Sequence, residues 1–176
     1  MKKLLFSGIL VCISAFCLSQ TEHSKINNTH AHHIGLSGGG VTGIGFSYRY
    51  WPSKWGVQIT GIPILLENKS GSFTSIGLSA LYTFKDSRIV DLYGFFGNHF
   101  TSYKQKFDYT DSNGNIIENS NKDNLFNIGA GFGLKFDFLE SLNFNIQSGV
   151  GMFGITNKSS SPITTLTAEL GLYYNL

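Results

Sequence analysis

Cysteine is almost absent from this sequence: of 176 residues only Cys12 and Cys17 carry a thiol, and both fall within the first 20. Charge is scarce too, at 14% Asp, Glu, Lys and Arg, and proline occurs only three times. Met1-Lys2-Lys3 precede an apolar stretch from Leu4 to Val11, with small residues at Cys17 and Ser19. That is the arrangement of a secretory signal cleaved before Gln20. Phe16 and Val11, not small residues, precede the two cysteines, which excludes a lipid-modified amino terminus. Removing residues 1–19 leaves no thiol and balanced basic and acidic side chains. Disulfide scaffolds, thiol catalysis and cysteine-based metal sites are then excluded, and a zero net charge gives no support for nucleic-acid binding.

Long hydrophobic runs are also missing. After the signal no stretch of 18 or more apolar residues could form a membrane helix. Apolar residues seldom recur at helical spacing, and the 21 glycines are spread through every apolar stretch, where each costs a helix interior about 1 kcal/mol relative to alanine.

Strict alternation is what the sequence does contain. From Thr165 to Leu176 one face carries Leu166, Ala168, Leu170, Leu172, Tyr174 and Leu176, and the other Thr167, Glu169, Gly171, Tyr173 and Asn175. The same contrast runs through Thr42–Tyr50, Ser72–Phe84, Leu125–Phe138 and Leu142–Phe153, more weakly through Val90–Tyr103, and through Trp55–Leu66 until Pro63, where a bulge or strand end is expected. His33–Gly38 is short and runs into Gly38-Gly39-Gly40, a plausible hairpin turn. Read as one bent strand, residues 33–50 bring the count to seven; split at the glycines, they bring it to eight.

Eight agrees with the connections. Trp51–Lys54, Lys85–Ile89 and Leu139–Ser141 are tight turns, whereas Glu67–Gly71, Lys104–Asn124 and Thr156–Pro162 are longer and polar. Short turns on one side and long loops on the other are the asymmetry of an outer-membrane barrel, with both termini in the periplasm. A water-soluble barrel would point its apolar faces inward instead. Two features favour lipid on the outside. The second face is Gly, Ser, Thr, Asn and Gln rather than Lys and Glu, and aromatic residues gather at strand ends. Tyr48, Tyr50, Trp51, Trp55, Tyr82, Phe84, Phe136, Phe138, Phe144, Tyr173 and Tyr174 form one girdle; Phe73, Phe100, Tyr103, Phe126 and Phe153 form the other.

The ending Glu169-Leu170-Gly171-Leu172-Tyr173-Tyr174-Asn175-Leu176 resembles the terminal assembly signal of outer-membrane proteins, with Glu169, Gly171, Tyr174 and Leu176 at the signature positions and leucine where phenylalanine is commoner. Together with signal and strand count it resembles the small eight-stranded barrels of the OmpA-barrel, OmpX and OmpW kind. The resemblance covers residues 33–176 and implies an all-β, antiparallel up-and-down transmembrane barrel. The expected organisation is a signal at 1–19, a flexible periplasmic segment at 20–32, and the barrel at 33–176, with no peptidoglycan-binding domain after it. Expected partners are outer-membrane lipid and the barrel-assembly machinery, with a monomer favoured.

Chemical motifs are few. His23, His30, His32 and His33 form a polar stretch without a carboxylate or cysteine to complete a metal site. Asp111-Ser112-Asn113-Gly114-Asn115 fails the EF-hand register, and Gly38-Gly39-Gly40 lacks the residues of a phosphate loop. No cofactor is expected. For catalysis only His99, with Ser75 and Ser102 nearest by depth, offers a candidate, and a lipid-modifying enzyme ranks below both a structural or surface-interaction protein and a narrow channel. Glycines at 129, 131, 133, 149, 151 and 171 on the inner face either leave a water-filled lumen or permit tight curvature. A lumen network is expected from Arg49, Gln58, Asp91, Lys135, Asp137, Asn145, Gln147 and Glu169, with Glu169 paired to Arg49 or Lys135. Loop 104–124 is expected to continue the fifth and sixth strands as a protruding hairpin for extracellular protein or glycan contact.

Overall fold

The computed structural model describes residues 31–62, 71–87, 89–110, 116–156 and 161–176, without side chains at 71, 105–110 and 116–119. The signal sequence, most of the 20–32 segment, Pro63 and the Asn113-Gly114 turn lie outside the described residues.

Eight antiparallel strands close into a barrel in simple chain order: β1 (His32–Gly39), β2 (Gly43–Tyr50), β3 (Trp55–Ile62), β4 (Gly71–Lys85), β5 (Val90–Thr110), β6 (Ile116–Leu139), β7 (Leu142–Phe153) and β8 (Ile163–Asn175). β1 and β8 complete the ring through pairs from His33 with Asn175 to Gly38 with Leu170. The split of residues 33–50 into two strands is therefore the observed one. β5 and β6 run on past the other strands. β5 and β4 pair up to Gln105, β6 and β7 begin pairing at Ile128, yet β5 and β6 remain paired out to Thr110 with Ile116. The expected hairpin projects from one end of the barrel.

The period-2 pattern decides which side chains are enclosed, and it encloses the polar set. Ser47, Arg49, Gln58, Thr60, Asn143, Asn145, Gln147 and Glu169 are buried, while Leu36, Phe46, Ile59, Phe132, Leu166 and Leu170 are exposed on the outside. Only six large hydrophobic side chains are buried among the described residues: Val41, Trp51, Leu81, Tyr93, Phe95 and Tyr173. Two girdle assignments and one more need correction on this basis. Trp51 and Tyr173 point into the lumen rather than outward, and Phe153 packs inward against Val41. Tyr173 sits at an inward parity position, where a ring fills space that Gly171 vacates beside it.

One departure from a plain barrel shapes the interior. The β1–β2 connection, Gly40-Val41-Thr42, folds into the barrel mouth, and Val41 and Thr42 are wholly buried. Gly43 and Gly45 make this entry possible with φ of 95° and 126°, angles that strain any residue with a Cβ. The inner glycines accommodate the insertion. A Cβ at Gly129 or Gly151 would stand 2.8 Å from a Val41 methyl, and one at Gly77 would overlap the Thr42 carbonyl. At Gly77, Gly129 and Gly151 the space that a side chain would need is taken by the inserted turn.

Candidate functional site

The lumen is filled in three tiers. At the end bearing the chain termini, Lys135 Nζ lies 2.8 Å from Asp91 and 3.3 Å from Asp137. Asp91 also accepts the Ser87 backbone N–H at 2.9 Å. Trp51 closes this tier, edge-on to Tyr93 with centroids 5.0 Å apart. Beside it, the carboxyl of Asp86 in the β4–β5 turn is raised from 3.8 to about 6, first by partial removal from water, then by the charge of Asp91 and a hydrogen bond to it.

Arg49 forms the middle tier. Its Nε donates to Gln58 Oε1 at 2.8 Å and its Nη1 to Asn145 Oδ1 at 2.6 Å, while the guanidinium lies 4.0 Å from the Tyr173 ring centre and 5.8 Å from that of Tyr93. Gln147 donates to the Tyr93 hydroxyl at 2.9 Å, and that hydroxyl donates to Asn145. Gln58 passes the chain to Thr60, which meets Ser47, and Ser47 accepts from Tyr173. A planar cation held by neutral acceptors and two ring faces keeps its charge compensated without a carboxylate. Among the described residues none lies within ion-pair distance of it.

Glu169 makes the upper tier, and the expectation of a cationic partner is corrected here. Its carboxylate accepts the Val41 N–H at 2.8 Å, the Thr42 N–H at 3.4 Å, the Thr167 hydroxyl at 3.2 Å and the Thr42 hydroxyl. A buried anion needs donors, and backbone N–H groups serve as well as a cation. Arg49 and Lys135 are occupied elsewhere, so the eight expected lumen residues divide into three groups rather than one network. Tyr93, Tyr173, Asn143, Thr42 and Val41 line the lumen outside the expected set. Strand parity places Tyr93, Tyr173 and Asn143 on the inner face, which the girdle assignment of Tyr173 overlooks; nothing in the sequence signals the inserted turn.

His99 and Ser75 do meet, Oγ to Nε2 at 2.8 Å. The geometry is that of a strut. His99 Nδ1 contacts the Gly40 carbonyl at 3.1 Å, and Ser75 Oγ both accepts from Ile44 N and donates to Ile44 O, each at 3.2 Å, taking over the backbone of β2 where it leaves β3. The single hydroxyl proton is shared between Ile44 O and His99, and the oxygen has no exposure to a substrate. Ser102 stands on the outer face bonded to Asn124 at 2.8 Å, away from His99. Among the described residues no cluster of three metal-ligating side chains occurs. Of the assembly-signal residues, Glu169 and Gly171 face inward, and Tyr174 and Leu176 are exposed.

Geometry and lining define a closed, filled eight-stranded barrel with an apolar exterior. No family model matches the chain, and no curated protein matches it either. Among solved structures it is similar to the N-terminal β-barrel domain of OprF from Pseudomonas aeruginosa, at 19% identity over 82% of this chain and 96% of that one, with a TM-score of 0.46. It is also similar to Ail, the attachment invasion locus protein of Yersinia pestis, at 22% identity over the same shares, with a TM-score of 0.39. The NanC porin aligns at 8% identity over 83% of this chain and all of its own, with a TM-score of 0.23.

Proposed function

We infer that the chain is an integral outer-membrane barrel without chemistry of its own, a rigid stub that presents loops at the cell surface. The observation that carries this is the inverted burial: leucine, isoleucine and phenylalanine outside, arginine, glutamate and amides inside. Such a surface is unfavourable in water and favourable in hydrocarbon. At about 3.3 Å per residue and a tilt of about 40°, Leu166 to Tyr174 covers about 20 Å of height, most of the ~25 Å apolar band of such barrels. On this reading residues 1–19 are removed on export, both termini lie in the periplasm, and the assembly machinery reads the last strand before it folds. The test is fractionation with gel mobility. The mature chain starts at Gln20, sediments with outer membrane and shifts its mobility on boiling; recovery as a soluble periplasmic protein refutes the reading.

The surface role is assigned to the β5–β6 hairpin, supported by its projection beyond its neighbours. Loops on a rigid scaffold carry binding, and the outer edge of β6 beyond Asn124, which pairs with no described strand, offers backbone groups to an extracellular protein or glycan. Replacing residues 106–122 by an Asn-Gly turn leaves the barrel heat-modifiable and abolishes cell-surface adhesion; retained adhesion moves the role elsewhere. The channel reading is weakened by the Arg49 tier and the inserted turn. Planar bilayers are expected to show no steady conductance, and a stable conductance reinstates the channel.

A further inference from the structure

The outer face of the β5–β6 hairpin carries a like-charge pair. Lys104 and Lys122 are cross-strand partners, one half-buried and the other exposed. Directly opposed like charges destabilise a sheet, and among the side chains described, which do not include those of Asp108 and Glu118 two rungs further out, no carboxylate lies within ion-pair distance of either. Asp123, next to Lys122, belongs to the alternate set and pairs with Tyr103. The rung below Lys104 and Lys122 on the same face is Ser102 with Asn124, and the rung below that is Phe100 with Phe126. Ser102 donates to Asn124 Oδ1, so the Asn124 amide keeps its N–H donors for another acceptor. Ser72 flanks Lys104 on the β4 side.

We propose that Lys104 and Lys122 bind the phosphate of an outer-leaflet lipid headgroup, with Ser102 and Asn124 beneath it and the acyl chains against Phe100 and Phe126. Two ammonium groups that repel each other are reconciled by one anion between them. The source is lipid rather than soluble phosphate because the strip is continuous with the apolar wall. Four residues along a tilted strand place the lysines about 10 Å above Phe100, the depth of a headgroup over its hydrocarbon. The proposal rests on the membrane reading above, which orients this end outward.

The test uses the mature chain refolded into phosphatidylcholine vesicles doped with lipid A that carries both phosphates or none. Bound lipid A is counted by mass spectrometry after mild detergent extraction. The wild type retains the phosphorylated form, and K104Q/K122Q lowers its apparent affinity about thirtyfold. K104R/K122R retains it, and K54Q/K85Q, which removes the same charge from the opposite end, leaves it unchanged. Equal retention by K104Q/K122Q, equal retention of the phosphate-free lipid, or full competition by inorganic phosphate each overturns the proposal. The heat-induced mobility shift of every variant confirms insertion. A wild-type chain that fails to insert refutes the membrane reading instead.

Discussion

Replacing Glu169 discriminates between a carboxylate held by backbone donors and one held by a cation. In Glu169→Ala the Val41 and Thr42 N–H groups lose their acceptor inside the barrel mouth. The hydroxyls of Thr42 and Thr167 can rotate to other partners, but a backbone N–H cannot. Each stranded buried donor costs about 1–3 kcal/mol, and the bond at 3.4 Å belongs to the lower end, so the expected loss is about 3–5 kcal/mol once the vacated space is included. Glu169→Gln keeps the Oε1 acceptor for Val41 and turns its amide toward the Thr42 oxygen, which accepts as readily as it donates. That variant loses about 1 kcal/mol. A partner such as Arg49 would make charge decisive, and Gln would then be nearly as damaging as Ala. Urea unfolding of residues 20–176 in lipid vesicles, followed by Trp51 and Trp55 fluorescence, measures both. A Gln variant as unstable as the Ala variant refutes the backbone clamp.

Three further outcomes follow from the same geometry. Arg49→Met leaves Gln58 Oε1 without its donor and empties the space over Tyr173, and is expected to lower stability by about 2–4 kcal/mol in the same urea assay. Gly129→Val drives a side chain into the Val41 methyl and the Val150 carbonyl, and unboiled gels should show the unfolded band only, whereas Ser120→Val on the exposed hairpin folds normally. Asp86, raised from 3.8 to about 6 in the folded chain, keeps a proton that the unfolded chain has already released, so its contribution to stability falls as pH rises through that window. Asp86→Asn should therefore match the wild type at about pH 4 and exceed it at about pH 8 in heat-shift temperature.

Fold and lumen differ in how far the sequence reveals them. A strand facing two unlike media must alternate, so β7 was legible to the residue, Leu142–Phe153, and β2 and β4 to within one. The enclosed positions of Arg49, Gln58 and Glu169 followed from the same parity. Pairings inside the lumen did not. Alternation says which side chains share a space but not which meet, and Lys135 chose Asp91 and Asp137 because cross-strand register brings Asp91 opposite it. The inserted turn was invisible for another reason: its donors are main-chain N–H groups, which every residue but proline carries. The glycines at 129 and 151 were readable as small, and only the position of Val41 gave their smallness a purpose.

Which face of the barrel meets lipid is the property from which all the others follow. Single cysteines introduced from Leu166 to Tyr174 in a chain of residues 20–176, which contains no cysteine, can carry nitroxide labels in lipid vesicles. Labels at Leu166, Ala168, Leu170 and Leu172 should collide strongly with dissolved oxygen and weakly with a water-soluble nickel complex, as residues bathed in hydrocarbon do. Thr167, Glu169, Gly171 and Tyr173 should be shielded from both reagents. Nickel accessibility along the leucine face, or a profile without period 2, would contradict the inverted barrel.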